Sequence, residues 1–366
     1  MMKKRIPLLI IILFIAGGIL CLQMPAFLAD RPDIAEKYAL EIFPVLSKMT
    51  VSVMSFIPFS VTEICFYVLL IGIPVLLIIF IIRLCKSEQK WRLIRRTALV
   101  LSGVFFFAAL QFCLFMGINY SRIPLSDSLF PEKRERNLDE LIEVSAYFAK
   151  KTTDSRAYLN QESPMTLQTT ISQAMVDGNH AMDTAAEKFD ILAGNAVIPK
   201  QVFASHYVSY TGITGMYMPL LGEANVNTDI PAIGLPHTLC HEISHARGFA
   251  REQEANLAGF LACIASERMD FQYSGYQFAY RYIISDLYKA DQEAYQAVSS
   301  LISEEVWQDW ADNNEYWKSF EGPVQETAEK VNDSYLKANR QTEGVLSYSL
   351  VTELIIEYYF TYIKAG

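Results

Sequence analysis

The segment PHTLCHEISHARGFAREQEAN, residues 236–256, concentrates side chains that can bind a metal ion. His241 and His245 are four residues apart, so on a helix their rings lie on the same face, one turn from each other. Two imidazoles so placed can share one metal ion, and Glu242 can reach a water molecule on the open side of that ion. The spacing predicts a metal-binding helix. A helix with a structural histidine pair is the alternative.

The ends of this helix are marked by Pro236, which suits the first helical position, and by Gly248, which suits the left-handed position just past the last turn. A catalytic zinc site with three protein ligands needs one more donor. The next stretch, FAREQEANLAGFLACIAS, is apolar at helical spacing and carries Glu252 and Glu254 near its start. Residues two apart cannot both face one ion from a regular helix, so the residues alone leave the choice open.

His237 stands one turn before His241 on the same face. Three rings at i, i+4 and i+8 extend over about 12 Å, which is too far for one ion to reach all of them. We therefore predict a supporting or substrate-side role for His237, with an idle surface histidine as the alternative.

The stretch before the histidine helix differs from it in composition and periodicity. The stretch VFASHYVSYTGITGMYMPLLGEANVNTDIPAIGLP lacks helical periodicity and is rich in Val, Tyr, Thr and Gly, which predicts two or three short strands with turns near Gly212, Gly215 and Gly222. Helical patterns are predicted at 137–151, 165–190, 236–247, 250–268, 276–300, 302–318, 322–341 and 346–363. The predicted fold class is mainly α with a small β-sheet, an α+β domain.

Three long apolar runs, at about 6–28, 61–84 and 97–120, precede this domain. Each exceeds the roughly 20 residues that a helix needs to cross a hydrocarbon core. They predict three N-terminal transmembrane helices and a lipid bilayer as partner. Lys3, Lys4 and Arg5 also allow a cleaved signal peptide at the first run, but its length and Phe27 near the expected cleavage point favour a retained helix.

Basic residues predict the orientation. The stretch RLCKSEQKWRLIRR lies between the second and third runs, and three more basic residues lie at the N-terminus, whereas the connection 29–60 has only three. By the positive-inside rule the N-terminus is cytoplasmic. The prediction is a membrane domain at 1–120 and an extracytoplasmic domain at 121–366.

The charge balance excludes one class of partner for the extracytoplasmic domain, which we also call the outer domain. The chain has a net charge of −9, and 19 basic and 34 acidic residues follow residue 117. Such an acidic domain argues against nucleic acid as a partner. Cys240 and Cys263 are the outer domain's cysteines, and an oxidising exterior permits either a disulfide or two buried thiols.

The sequence resembles a family of uncharacterised bacterial membrane proteins, domain of unknown function 3810, with several spans followed by a zincin-like domain. The resemblance is carried by GMYMPLLGEANVN, CHEISHARGFAREQEANLAGFLAC and SYLKANRQTEGVLSY. More broadly the chain is similar to gluzincin peptidases, in which a Glu ligand follows HExxH on a second helix and an Asp four residues later supports a histidine. This similarity implies Glu252 as the third ligand and Asn256 in the place of the Asp.

The same resemblance implies a substrate strand. In zincins an edge strand beside the metal pairs with an extended peptide. The implied strand is Glu223, Ala224, Asn225, Val226 and Asn227, or the neighbouring GMYMP; a hairpin that only covers the core is the alternative. Candidates by type for stabilising a developing oxyanion are Tyr273, Tyr276, Tyr280, Tyr335 and Tyr348.

The predicted function is therefore a membrane-anchored zinc peptidase acting on a peptide or protein outside the cytoplasm. One Zn²⁺ is held by His241, His245 and Glu252, and Glu242 is the general base for the water that the ion activates. The alternative is a non-catalytic binding or sensory protein with a structural metal or a degenerate site. An open coordination position would distinguish the two.

Overall fold

The computed structural model describes residues 6–130, 137–159, 167–339, 341, 343–344 and 350–365. The described chain is mainly helical, with one small three-stranded sheet. It divides into two compact units. The first contains residues up to Arg122 together with Met218–Glu223, and the second contains Ile123–Tyr217 and the chain from Ala224 onward.

The first unit is built from five α-helices: α1 (Ile6–Leu28), α2 (Pro32–Lys37), α3 (Phe43–Met54), α4 (Val61–Lys86) and α5 (Lys90–Phe112). Three segments are long and apolar enough to cross a membrane: Leu9–Leu28, Val61–Lys86 and Lys90–Ser121. The prediction of three apolar helices that could span a membrane is confirmed. The third begins at Lys90 instead of residue 97, because the basic stretch continues the same helix.

The connection between the first two long apolar helices is itself largely helical. A π-helical turn, Tyr38–Ile42, joins α2 to α3. Ala35 packs with Leu28, Cys113 and Ile118, so this connection lies against the end of α1 and the turn that follows α5. Glu223 also belongs to this unit, and its carboxylate accepts hydrogen bonds from the backbone N–H groups of α4's first two residues at 3.1 and 2.8 Å.

The second unit contains eleven further α-helices among the residues that the structure describes. They are α6 (Leu125–Leu129), α7 (Leu138–Ala157), α8 (Ile171–Lys188), α9 (Ser205–Ser209), α10 (Leu235–Ala246), α11 (Glu252–Ala265), α12 (Met269–Ala290), α13 (Gln292–Ser299), α14 (Glu304–Lys318), α15 (Pro323–Ala338) and α16 (Val351–Tyr358), the last continuing into a π-helical turn, Tyr359–Lys364.

Three predicted helices differ from those observed, and the first of them, predicted at 137–151, continues to Ala157. The helix predicted at 276–300 is two helices, because the Asp291 carboxylate accepts a hydrogen bond from Ala294 N at 2.9 Å and starts α13 there. The helix predicted at 165–190 begins at Ile171, after Thr170, whose hydroxyl accepts from Gln173 N at 3.2 Å. Part of the segment predicted as 346–363, with Tyr348, lies outside the described residues.

The sheet contains β1 (Lys200–Gln201), β2 (Gly215–Met218) and β3 (Glu223–Val226) in the order β1-β3-β2. β1 runs parallel to β3, with Lys200 opposite Asn225. Turns are found at Gly212 and Gly222, which have φ values of +72° and +65°, as predicted. The turn predicted near Gly215 is wrong, since this residue starts β2.

Helices α10 and α11 form the centre of the second unit, with α8 and α12 packed around them and α7 packed against α12. The approach of α11 to α10 is close: a Cβ on Gly259 would lie 3.2 Å from both His237 Nε2 and His241 N. Cys240 and Cys263 are buried free thiols on these two helices. Of the two alternatives for this cysteine pair, the structure has the thiols.

Candidate metal centre

The histidine helix has the ends that its sequence predicts. Pro236 lies in the first turn of α10, and Gly248 follows the helix with φ +97°. Phe249 N donates to Ser244 O at 3.1 Å, so the chain turns sharply after the last helical turn. This turn leads directly into α11, whose first residue is Glu252. Seven residues after His245, the chain has therefore returned to the histidine face of α10.

Three ligand atoms meet at this point. His241 Nε2 and His245 Nε2 are 3.1 Å apart, and Glu252 Oε2 lies 3.3 Å from the first and 3.6 Å from the second. Neighbouring ligand atoms of a tetrahedral site with metal distances of about 2.0–2.1 Å lie about 3.3 Å apart. The three donors thus have the separations of one face of a zinc coordination tetrahedron.

The ring orientations fit a cation as well. His245 Nδ1 lies 2.7 Å from Phe249 O, which can only accept, so Nδ1 carries the proton. His241 Nδ1 lies 2.8 Å from Asn256 Oδ1 in the same manner. In its neutral form, each ring turns the lone pair of Nε2 towards the other ring and towards the Glu252 carboxylate. Lone pairs and a carboxylate at this distance repel one another unless a cation or a proton lies between them.

The pKa values of the buried donors also indicate that positive charge is required between them. Burial opposes protonation of His245, but the charge and hydrogen bond of Glu252 outweigh it and raise the pKa of His245 to about 9. Burial alone would raise the pKa of Glu252, yet the two imidazoles hold it well below its usual range. Glu252 is thus a carboxylate that draws positive charge to the two rings, and a metal ion can supply this charge in place of a proton.

Glu242 lies beside the three donors with an open acceptor. Its side chain is buried, and Oε2 makes no hydrogen bond to the residues that the structure describes. Burial raises the pKa of Glu242 to about 7, although the two histidines lower it. A carboxyl group with a pKa near neutrality is well matched to accept a proton from water and to release it again.

Strand β2 lies directly against this carboxyl group. A Cβ on Gly215 would come within 2.5 Å of Glu242 Oε1, so only glycine fits here without displacing Glu242. Two residues further on the same face, the ring of Tyr217 is stacked on His245 with centroids 6.5 Å apart. Tyr217 is the site neighbour that sequence reasoning missed. The signal was present in GMYMP, where Gly215 and Tyr217 share a strand face.

The two residues predicted to support the site are on α10 and α11. His237 Nε2 lies 3.2 Å from Asn256 O, while Asn256 Oδ1 contacts His241. The ring of His237 is stacked on Phe278 at 3.6 Å, and burial lowers its pKa to about 3. A neutral His237 therefore donates to the backbone of Asn256, and the Asn256 side chain orients His241.

Glu254, the alternative third ligand, is directed elsewhere. Its Oε1 accepts from Arg251 Nη1 at 2.5 Å and from Leu125 N at 2.8 Å. The group of His, Cys, Asp and Glu side chains that could hold a metal consists, within the described residues, of His241, His245 and Glu252. Geometry thus distinguishes two carboxylates that the sequence alone could not.

The prediction that Glu223–Asn227 forms an edge strand for substrate is wrong. β3 is the central strand, with β1 on one side and β2 on the other, and Glu223, Ala224, Asn225, Val226 and Asn227 are all buried. The other segment proposed for this role, GMYMP, contains β2, which lies at the edge of the sheet. The edge strand beside Glu242 is therefore β2.

The tyrosines considered for an oxyanion lie in other contacts. Tyr273 OH donates to Asp309 Oδ2 at 2.7 Å, and Tyr280 stacks on Trp310. Tyr276 packs against Phe148, and Tyr335 is partly exposed on α15. Nothing in these contacts places the four side chains at the three donors.

Comparison with known proteins gives one match. The family model described as "Protein of unknown function (DUF3810)" matches residues 38–356, and the chain belongs to this family. No curated protein and no solved structure matches the chain.

Proposed function

We propose that the protein is a membrane-anchored zinc peptidase whose metal is held by His241, His245 and Glu252. The observation that carries the proposal is the separation of the three ligand atoms, 3.1, 3.3 and 3.6 Å, beside the open acceptor of Glu242. Structural zinc sites are almost always closed by four protein ligands, whereas catalytic sites have three and leave a position for water. Three donors within the described residues favour the catalytic kind of site.

The chemistry divides between the ion and the chain. Bound Zn²⁺ would polarise a carbonyl group and make water more acidic. Glu242 accepts the proton of the attacking water at its carboxylate and returns it to the leaving amine. Asn256 and the carbonyl of Phe249 fix the two imidazoles through their Nδ1 protons, so both Nε2 atoms stay directed at one point.

The substrate that fits this arrangement is a peptide in extended conformation. β2 is an edge strand whose residues Gly215 and Tyr217 contact Glu242 and His245. A peptide added to this edge would run past the general base, because backbone pairing sets its direction. Basic residues at the inner ends of the spans favour a substrate outside the cytoplasm, and the acidic second unit disfavours nucleic acid.

The test is hydrolysis of a mixed library of quenched fluorescent peptides by the purified full-length chain with zinc. Glu242→Gln removes the proton acceptor but no ligand, so we expect it to retain zinc and to lose about 100-fold or more of the rate. Glu267→Gln, at an exposed glutamate after α11, is the matched control and should keep both. Equal rates for Glu242→Gln and the unsubstituted chain would remove Glu242 from the mechanism.

A further inference from the structure

We propose that the connection between the first two spans lies in the membrane–water interface, with one apolar stripe inserted among the lipids. The stripe consists of Ile42, Val45, Met49, Val53 and Phe56, and we call it the connector stripe. It follows the helical spacing 3, 4, 4, 3 along α3 and its flanks, so its side chains lie along one side of the helix.

The connector stripe is exposed to an extent that is unusual for such residues in water. Val45 and Val53 are 60% exposed and Met49 is 65% exposed. Phe56, at the end of the stripe, is 86% exposed. A continuous apolar surface of this kind marks a contact with a membrane or with another protein.

The stripe is not the side by which the connection packs on its own unit. That side is formed by Ala35, Ala39, Phe43 and Ser47, which are buried. Phe43 contacts the ring of Phe115, just past the end of α5, with centroids 6.5 Å apart. The connection is thus fixed through one side to the ends of the spans, and the stripe remains outside this contact.

The polar residues of the same helix lie on a third side. Glu41, Lys48 and Ser52 are exposed and fall between the connector stripe and the buried side around the helix. A helix with a narrow apolar side, a charged side and a packed side matches the pattern of helices that lie in the plane of a membrane surface.

The neighbouring spans favour lipid over another protein as the partner of the connector stripe. α1 ends at Leu28 and α4 begins at Val61, so two membrane-spanning segments hold the two ends of the connection at one surface of the bilayer. The buried side of the connection packs on the C-terminal end of the third such segment, Lys90–Ser121. A connection tethered at both ends and packed at this level places its free apolar side next to acyl chains, without any further protein.

Site-directed spin labelling of the full-length chain tests this placement. Cys65 and Cys85 are exposed and are first replaced by serine, and single cysteines are then introduced as Val45→Cys, Met49→Cys and Val53→Cys. Lys48→Cys and Ser52→Cys on the same helix are the matched controls. The protein is reconstituted in vesicles of phosphatidylethanolamine and phosphatidylglycerol, and the collision rates of each label with oxygen and with a water-soluble chromium complex are measured.

We expect the ratio of oxygen to chromium collisions to be several-fold higher at 45, 49 and 53 than at 48 and 52, because oxygen concentrates in lipid and the complex stays in water. Equal, high chromium collision rates at all five positions would place the helix in water and overturn the proposal. Labels at 45, 49 and 53 shielded from both reagents would show protein, such as a second copy of the chain, on the stripe and would also overturn it.

Discussion

Two buried polar clusters of the second unit make opposite use of their charges. In the first, Arg156 Nε and Nη2 donate to the two oxygens of Asp309 at 2.5 and 3.2 Å, and Tyr273 OH donates to the same carboxylate at 2.7 Å. Both carboxylate oxygens of Asp309 thereby accept hydrogen bonds inside the cluster. In the second, His241, His245 and Glu252 direct acceptor atoms at one another.

The difference separates a structural cluster from a candidate functional one. Donors and acceptors alternate around Asp309, so the cluster is complete as a folded element. Around Glu252 the acceptors converge, and burial makes that arrangement costly unless positive charge is added from outside the chain. Burial of polar residues alone therefore does not indicate a site; the direction of their lone pairs does.

Removing one partner of the complete cluster should give the largest effect. Arg156→Met leaves the Asp309 carboxylate buried with only the Tyr273 hydroxyl, and we expect a loss of about 3–5 kcal/mol in the free energy of unfolding. Trp310 is next to Asp309 in the chain, so its fluorescence reports the unfolding. The amount of zinc bound by the folded protein should not change.

The control for this substitution is Lys289→Met, whose partner Asp286 forms an exposed pair with it at 2.8 Å. An exposed pair contributes little, so we expect a change within about 0.5 kcal/mol. Similar losses in the two variants would mean that the Arg156 cluster is not the complete, buried element described above.

A smaller effect, on zinc affinity, is expected when the hydrogen bond that orients His241 in the second cluster is removed. Asn256→Ala removes the acceptor for His241 Nδ1, and loss of such a partner lowers metal affinity by about 10–100-fold. Asn256→Asp keeps the acceptor and adds charge, so it should restore zinc affinity or exceed it. Competition with a fluorescent chelator measures the three affinities, and unchanged affinity in Asn256→Ala would remove it from the support of the site.

Local chemistry made the histidine helix predictable. Pro236 and Gly248 mark its ends because their backbone preferences act within a few residues, and the observed helix Leu235–Ala246 agrees with the predicted 236–247 to within one residue. Apolar runs likewise predicted the three long helices of the first unit, since length and composition determine that pattern.

Features that depend on distant residues were not predictable. β3 is a central strand because Lys200–Gln201, more than twenty residues earlier in the chain, pairs with it, and nothing in EANVN signals that partner. Asp291 divides a predicted helix because its side chain caps a new one, which periodicity does not register. The Glu254 carboxylate is directed away from the histidines because it accepts a hydrogen bond from Leu125 N, a group far away in the sequence.

Zinc content of the purified full-length chain, compared with Glu252→Gln and Glu254→Gln, tests the central claim most directly. The three-donor geometry predicts one zinc per chain for the unsubstituted protein and for Glu254→Gln, and loss of that zinc in Glu252→Gln. Zinc retained by Glu252→Gln and lost by Glu254→Gln, or a folded unsubstituted chain that binds none, would contradict it.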